Sequence, residues 1–170
     1  MMCALRRLYL LRHGKSSWDE PGLADRERPL AARGRKASKL IAGHLRDEGI
    51  APDLVLCSPS KRTRQTLDRL ALDAAQVRFE DELYAATGGE LLAVLNGIGD
   101  DVGSAMLIGH NPGIQDLALQ LAGSGSEIGT MRGKFPTAAL ATVAFEGRWG
   151  DLAPGSAELV AFVKPKQLAG

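Results

Sequence analysis

The fold of this chain is decided by residues 8–16, which read Leu8-Tyr9-Leu10-Leu11-Arg12-His13-Gly14-Lys15-Ser16. The uninterrupted apolar run Leu8–Leu11 is typical of a short central strand that is covered on both faces. The run stops at Arg12, so charged and polar side chains begin where the predicted strand ends.

Two further segments repeat this arrangement of apolar strand, polar turn and helix. One is Cys57-Ser58-Pro59-Ser60-Lys61-Arg62, after a strand predicted over Asp53–Cys57, and the other is Ile108-Gly109-His110-Asn111-Pro112, after Ala105–Ile108. Helices are predicted from Ser58-Pro59 to about Leu72 and from Pro112 to about Leu121. If the three strands are parallel, their polar turns meet at one edge, where open α/β sheets bind ligands.

The remaining pattern predicts an α/β fold: a three-layer sandwich with a mostly parallel central sheet and helices on both faces. Residues 123–134, with four glycines and two serines, are predicted to form a loop, and Gly123–Gly133 is either a surface connection or a mobile flap. Other predicted elements are a helix over 31–48 ended by Gly49, a strand Gln76–Phe79, a short helix Glu90–Leu95, and strands Ala138–Phe145 and Glu158–Val163 as an antiparallel pair at a sheet edge.

Composition limits the classes of function. The 170 residues fit one domain over 1–170, and a net charge of +1 argues against nucleic-acid binding through bulk charge. No apolar run approaches the roughly 20 residues that span a bilayer, and no export signal is evident, so no membrane partner is expected. Cys3 near the terminus and Cys57 in an apolar strand indicate no disulfide framework and fit a reducing cytoplasm. Three histidines without a close His/Cys pairing argue against a zinc site.

The residues at the predicted sheet edge suit phosphoryl transfer. A neutral nitrogen of His13 can attack phosphorus and form a phosphohistidine intermediate, while the other ring nitrogen donates to a nearby carbonyl. Arg12 and Arg62 match phosphate oxygens with planar, bidentate forks, and His110 adds a hydrogen bond. Because the guanidinium groups neutralise the charge, neither a metal nor a cofactor is required.

These motifs resemble the histidine phosphatase superfamily. The resemblance rests on Arg12-His13-Gly14, on Ser58-Pro59-x-x-Arg62-x-x-Gln65-Thr66 and on Gly109-His110-Asn111-Pro112. The SixA-type phosphohistidine phosphatase branch is similar also in Leu10–Trp18, Arg28-Pro29-Leu30, Arg33-Gly34 and Lys134-Phe135-Pro136-Thr137. The resemblance covers most of the chain and implies a phosphoglycerate mutase-like fold. It also implies a nucleophile at His13 and a phosphate pocket formed by Arg12, Arg62 and His110.

This sequence departs from the SixA-type pattern at two positions. Gly14 stands where many members carry alanine, and Thr63 replaces the usual alanine after Arg62. Both changes exchange one small residue for another, so we expect the phosphate pocket to be retained.

The proton donor is the least determined residue of the site. Related enzymes place a glutamate after a middle strand, and Glu82 is the nearest candidate, with Glu80 and Asp81 as rivals. A phosphohistidine substrate leaves as imidazole across a labile P–N bond and depends less on such an acid. The substrate is expected to be a phosphorylated protein or a small phosphorylated metabolite.

Two groups of polar residues each allow a structural and a functional interpretation. Ser16 and Ser17 either donate to the phosphate or cap their loop. The basic cluster Arg33, Arg35, Lys36 and Lys39 is either solvated surface or steers an acidic phosphoprotein.

Three other activities compete with a SixA-type phosphatase. A cysteine-dependent phosphatase is rejected because the spacing from Cys57 to Arg62 is one residue short, and because Cys57 lies in an apolar strand. A phosphomonoesterase or mutase-like enzyme acting on a small metabolite stays open. So does an inactive module that binds phosphate or phosphoprotein.

Overall fold

The computed structural model describes residues 5–74 and 76–169. The strands in these ranges are β1 (Leu5–Arg12), β2 (Leu54–Cys57), β3 (Gln76–Phe79), β4 (Ser104–Gly109), β5 (Ala122–Ser124), β6 (Leu140–Glu146) and β7 (Ala157–Val163). The α-helices are α1 (Ala32–Asp47), α2 (Lys61–Leu70), α3 (Gly88–Asn96), α4 (Gly113–Leu121), α5 (Ile128–Gly133) and α6 (Pro165–Leu168). None of these helices is both long and apolar enough to cross a membrane.

The strands form one sheet in the order β3-β2-β4-β1-β6-β7-β5. Strands β3, β2, β4 and β1 are parallel neighbours, which confirms that the three polar turns share one edge. Strand β6 is antiparallel to β1 and β7, so the predicted antiparallel pair is also confirmed. The prediction that this pair lies at the sheet edge is wrong, because β5 pairs with β7 and forms the edge instead.

Strand β1 supplies both hydrophobic cores. Successive side chains of a strand point to opposite faces, so Leu8 and Leu10 pack on one side of the sheet and Tyr9 and Leu11 on the other. The first side is covered by α3 and α4, and the second by α1 and α2. The predicted α/β sandwich, with helices on both faces of a mostly parallel sheet, is therefore confirmed.

The structure differs from the sequence prediction mainly in residues 123–134. This stretch is not a loop throughout, since it includes the end of β5 and the whole of α5. Buried Met131 anchors α5, and the Gln115 side chain donates to the Met131 carbonyl oxygen at 3.0 Å. A glycine-rich segment with one buried apolar residue has no periodic pattern from which a helix could be predicted. Cys3 lies outside the described residues.

Helix α1 approaches the loop after β1 so closely that glycine is needed on both sides. A Cβ atom on Gly34 would lie 2.2 Å from the Lys15 carbonyl oxygen, and one on Gly14 would lie 2.8 Å from the Gly34 carbonyl oxygen. The Ala31 amide donates to the Lys15 carbonyl oxygen at 2.8 Å. The helix therefore fixes the loop backbone that follows His13.

We expect Gly34→Ala to lower the free energy of unfolding by about 1–3 kcal/mol, because the new methyl group meets backbone that cannot move aside easily. Gly43→Ala in the same helix is the matched control, since its nearest neighbour would be the Arg46 guanidinium at 3.8 Å. There the higher helix propensity of alanine should raise stability by about 0.5–1 kcal/mol. Urea unfolding measures both changes, and a Gly34→Ala chain as stable as wild type would contradict the close approach.

Candidate active site

The backbone around His13 is fixed by the neighbouring strands. The His13 amide donates to the Gly109 carbonyl oxygen at 3.1 Å, and the Ala138 amide donates to the His13 carbonyl oxygen at 3.0 Å. The His13 side chain is 8% exposed, and its Nδ1 lies 2.7 Å from the Gly14 carbonyl oxygen. A carbonyl oxygen only accepts, so Nδ1 carries the proton and Nε2 keeps its lone pair. This is the ring arrangement that the sequence predicted.

His110 lies directly beside His13. Their ring centroids are 5.2 Å apart, and the Arg62 Nη2 is 3.5 Å from His110 Nδ1. On its other side, His110 Nε2 is 2.8 Å from Ser58 Oγ. Residues from all three predicted turns are thus brought together at the carboxyl ends of β1, β2 and β4.

Two guanidinium groups, of buried Arg62 and half-buried Arg12, give the site its positive charge. Arg62 is 7% exposed, on the first turn of α2. Arg12 ends β1 and donates through Nη1 to the Phe135 carbonyl oxygen at 2.9 Å. Its buried Nε has no hydrogen-bond partner among the described residues. An unpaired buried donor is costly and rare, so the site has capacity for an anion.

Both site histidines are neutral near pH 7. Burial, assisted by the neighbouring His110, Arg62 and Arg12, lowers the pKa of His13 to about 3, although the hydrogen bond with Gly14 acts in the opposite direction. Burial likewise lowers the pKa of His110 to about 4, assisted by the charge of Arg62. A neutral His13 is the form that can act as a nucleophile.

Asp25, which sequence reasoning missed, holds Arg62 in place. Its carboxylate accepts from Arg62 Nη2 at 2.9 Å, and its backbone carbonyl oxygen accepts from Nη1 at 2.6 Å. Hydrogen bonds from Tyr84, Arg62 and Arg28 keep the pKa of this carboxyl group well below its ordinary value. Asp25 is therefore an ionised counter-charge at the edge of the site.

Tyr84 completes this edge. Its hydroxyl group donates to the Asp25 carboxylate, and its ring lies edge-on to His110 with centroids 5.3 Å apart. Burial and the Asp25 carboxylate both raise the pKa of Tyr84, so its phenol stays protonated. The segment after β3 therefore reaches the site through an aromatic side chain.

Glu82 is exposed in the short 3-10 turn Asp81–Leu83 and forms no hydrogen bond or ion pair within the described ranges. Its rival Asp81 pairs with Arg26 at 3.2 Å on the surface. The role of Glu82 as a proton donor stays a prediction.

Arg28 organises the loop that contains Ser16 and Ser17. Its Nη2 donates to Ser16 Oγ at 2.6 Å, its Nε donates to the Ser17 carbonyl oxygen at 3.1 Å, and its Nη1 reaches Asp25 Oδ1 at 3.1 Å. The Trp18 ring covers the guanidinium from 3.1 Å. These contacts support the loop, and phosphate binding by Ser16 and Ser17 stays a prediction.

Cys57 is buried, and burial raises the pKa of its thiol to about 12. A thiol in this state is inert as a nucleophile, in keeping with the rejection of cysteine chemistry.

Sequence reasoning lacked a signal for Asp25 and Tyr84 because their partners are distant in the chain. Asp25 and Arg62 are 37 positions apart, and Asp25 and Tyr84 are 59 apart. Arg28 belongs to a quoted motif, but nothing in the motif shows that its side chain joins Ser16 to Asp25.

Comparison with known proteins identifies the family. The sequence profile of the histidine phosphatase superfamily (branch 1) matches residues 8–91. A structure from Nakamurella multipartitia, assigned to phosphohistidine phosphatase SixA, has a TM-score of 0.87 and 31% identity, covering 97% of this chain and 99% of that one. This chain belongs to the histidine phosphatase superfamily. Within it the chain is SixA-type, and it is a phosphatase.

Two more relatives are similar to this histidine phosphatase over most of its length. The structure of a protein histidine phosphatase SixA complexed with tungstate has a TM-score of 0.78 and 26% identity, covering 95% of this chain and 99% of that one. An uncharacterized protein of Mycobacterium tuberculosis is 39% identical over 160 residues, which are 92% of this chain and 100% of the relative. The similarity thus extends over nearly the full length of each protein.

We expect Asp25→Ala to lower kcat/KM for phosphoramidate at least about tenfold, because Arg62 loses a charge-assisted hydrogen bond of about 1.5–3 kcal/mol. Asp25→Asn keeps one acceptor oxygen, so its kcat/KM should fall less than that of Asp25→Ala. Asp81→Asn is the matched control, because its ion pair with Arg26 is exposed and contributes little. Equal kinetics for Asp25→Ala and Asp81→Asn would contradict the positioning of Arg62 by Asp25.

We also expect the two buried histidines to make stability fall at acid pH. Unfolding returns them to a pKa of about 6.5, so below that pH the unfolded chain binds protons that the folded chain excludes. Between pH 7 and pH 5 each histidine should lower the free energy of unfolding by about 2 kcal/mol. Between pH 7 and pH 5, the free energy of unfolding should therefore fall by about 2 kcal/mol less in His13→Asn than in wild type. Urea titrations in phosphate-free buffer at the two pH values measure this difference. The same loss in both chains would contradict a neutral buried His13.

Proposed function

We propose that this phosphatase removes phosphoryl groups from phosphohistidine in proteins, through a phosphohistidine intermediate on His13. The observation that carries the proposal is that the carboxyl group in contact with the catalytic residues is not free to donate a proton. The carboxylate that contacts the site, Asp25, is ionised and bound by Arg62, Arg28 and Tyr84. Such a site suits a leaving group that needs no proton from the enzyme.

The reaction has two displacements. In the first, the Nε2 lone pair of His13 forms a bond to phosphorus while the bond between phosphorus and the substrate imidazole breaks. The other nitrogen of that imidazole takes a proton from solvent near neutral pH, so the substrate leaves as a neutral histidine. In the second, water attacks phosphorus, the bond to His13 Nε2 breaks, and phosphate leaves.

The other site residues stabilise the phosphoryl group during both displacements. Arg12 and Arg62 supply guanidinium donors to the oxygens that carry the developing charge. Neutral His110 donates to the phosphoryl group when its proton is on Nδ1 and the Ser58 hydroxyl group donates to Nε2. The hydrogen bond from His13 Nδ1 to Gly14 keeps Nε2 directed at phosphorus. Support comes from the SixA relative whose structure contains tungstate, an oxyanion of similar shape to phosphate.

A second candidate is hydrolysis of small phosphomonoesters, with Glu82 as the acid. It is favoured by one observation: Glu82 lies two residues before Tyr84, whose ring contacts His110. An alkoxide leaving group requires a positioned acid worth roughly a hundred- to ten-thousand-fold in rate. Glu82→Gln should then slow ester hydrolysis and leave phosphohistidine hydrolysis unchanged.

The decisive experiment measures phosphate release from a histidine-phosphorylated protein in the presence of a chelator. Wild type should release phosphate, and His13→Ala should lose at least about a thousandfold because the nucleophile acts as a unit with its pocket. His44→Ala is the matched control, since His44 lies on α1 away from the site. Equal rates for wild type and His13→Ala would contradict the mechanism. Binding without turnover by wild type would instead indicate an inactive phosphate-binding module.

A further inference from the structure

A second concave site lies beside the catalytic pocket. It has a volume of about 620 Å³, within the 300–1,000 Å³ range usual for ligand clefts. Arg12, His13, Arg62 and His110 do not line it. Its charged lining consists entirely of basic side chains, which we call the basic groove: Lys15, Arg33, Lys36, Lys134, Lys164 and Lys166.

The charge of the basic groove is a local concentration. The chain as a whole has a net charge of only +1. The groove residues come from four separated parts of the chain: the loop after β1, the first turns of α1, the end of α5, and the junction of β7 with α6. None of them forms an ion pair with a described residue. Charges of one sign that converge in a cleft focus the electric field and attract a ligand of opposite sign.

The basic groove adjoins the reacting atoms. Lys15 follows His13 by two residues, so their Cα atoms are at most about 7.6 Å apart. Lys134 and Pro136 flank Phe135, whose carbonyl oxygen accepts from the Arg12 guanidinium at 2.9 Å. The groove is therefore within a few residues' reach of a chain whose phosphoryl group occupies the catalytic pocket.

The lining of the basic groove suits a chain with several negative charges better than one anion held in a fixed geometry. Five of its six basic residues are lysines. Arginine has a planar fork that fixes one phosphate or carboxylate bidentately, whereas lysine is a flexible, hydrated point charge that accepts several arrangements. The catalytic pocket uses arginines, and the groove combines lysines with apolar contact surface from Leu40, Pro136 and Pro165. Flexible cations around apolar surface match an acidic polypeptide of variable sequence.

We infer that the basic groove binds a carboxylate-rich segment of the phosphoprotein substrate, next to its phosphohistidine. The inference rests on the proposed function for its substrate. It also resolves the two interpretations of the cluster on α1: Arg33 and Lys36 line the groove, whereas Arg35 and Lys39 do not. Long-range attraction between the groove and the acidic segment should raise the association rate and select among phosphorylated proteins.

The first arm of the test measures binding alone, by fluorescence anisotropy of an unphosphorylated, glutamate-rich ten-residue peptide. The groove variant is Lys36→Glu with Lys166→Glu. The control is Lys39→Glu with Arg46→Glu, which changes net charge equally at exposed positions outside the groove. We expect the groove variant to weaken binding at least about tenfold at low salt and the control less than about threefold. Equal weakening in both variants, or tripolyphosphate binding to the groove where the peptide does not, would overturn the inference.

The second arm measures kcat/KM on histidine-phosphorylated peptides with glutamate flanks or glutamine flanks, and on phosphoramidate. Wild type should prefer the glutamate flanks at least about tenfold, and about 0.5 M salt should remove this preference by screening. The groove variant should lose the preference and keep its rate on phosphoramidate. Hydrolysis of both peptides at one rate would overturn the inference. If wild type hydrolyses neither peptide, the proposed function fails, and the binding arm still decides whether the groove holds acidic peptide.

Discussion

Strand β1 pairs in parallel with β4 in a register that places Arg12 opposite Gly109. This register brings His13 beside His110, because each histidine follows directly after the paired position. The His13 amide then bonds to the Gly109 carbonyl oxygen, and on the other side of β1 the Ala138 amide, two residues before β6, bonds to the His13 carbonyl oxygen. A shift of one residue would turn the side chains of β1 to the opposite faces of the sheet and exchange its contributions to the two cores. The geometry of the site therefore depends on a register that both cores enforce.

Burial gives the site its chemical character. The two imidazoles and the Arg62 guanidinium are buried beside half-buried Arg12, and proton binding to either imidazole would add charge where charge is already costly. The histidines consequently stay neutral and the arginines carry the positive charge. Asp25 offsets part of that charge from the rim, where it is half exposed. The Arg12 Nε has no partner among the described residues, so the positive charge of the site suits an anion.

Sequence reasoning could predict what depends on local pattern. The apolar runs located the strands of both cores, and the three polar turns located Arg12, His13, Arg62 and His110. It could not predict contacts that the tertiary fold creates between irregular segments. The 3-10 turn that carries Asp25 contains no buried residue, so no periodicity marks it. Helix α5 depends on Met131 alone for its buried contact, and a glycine-rich segment with one anchor resembles a loop.

Specificity in this architecture is divided among three parts that do different physical work. The catalytic pocket recognises a phosphoryl group through arginine geometry, which is the same for every phosphorylated molecule. In the proposed function, the ionised state of Asp25 favours a leaving group that needs no acid, since an ester oxygen needs a proton and a phosphohistidine nitrogen receives its own from solvent. Neither part distinguishes one phosphohistidine protein from another. That distinction requires surface outside the pocket, and by our inference the basic groove supplies it.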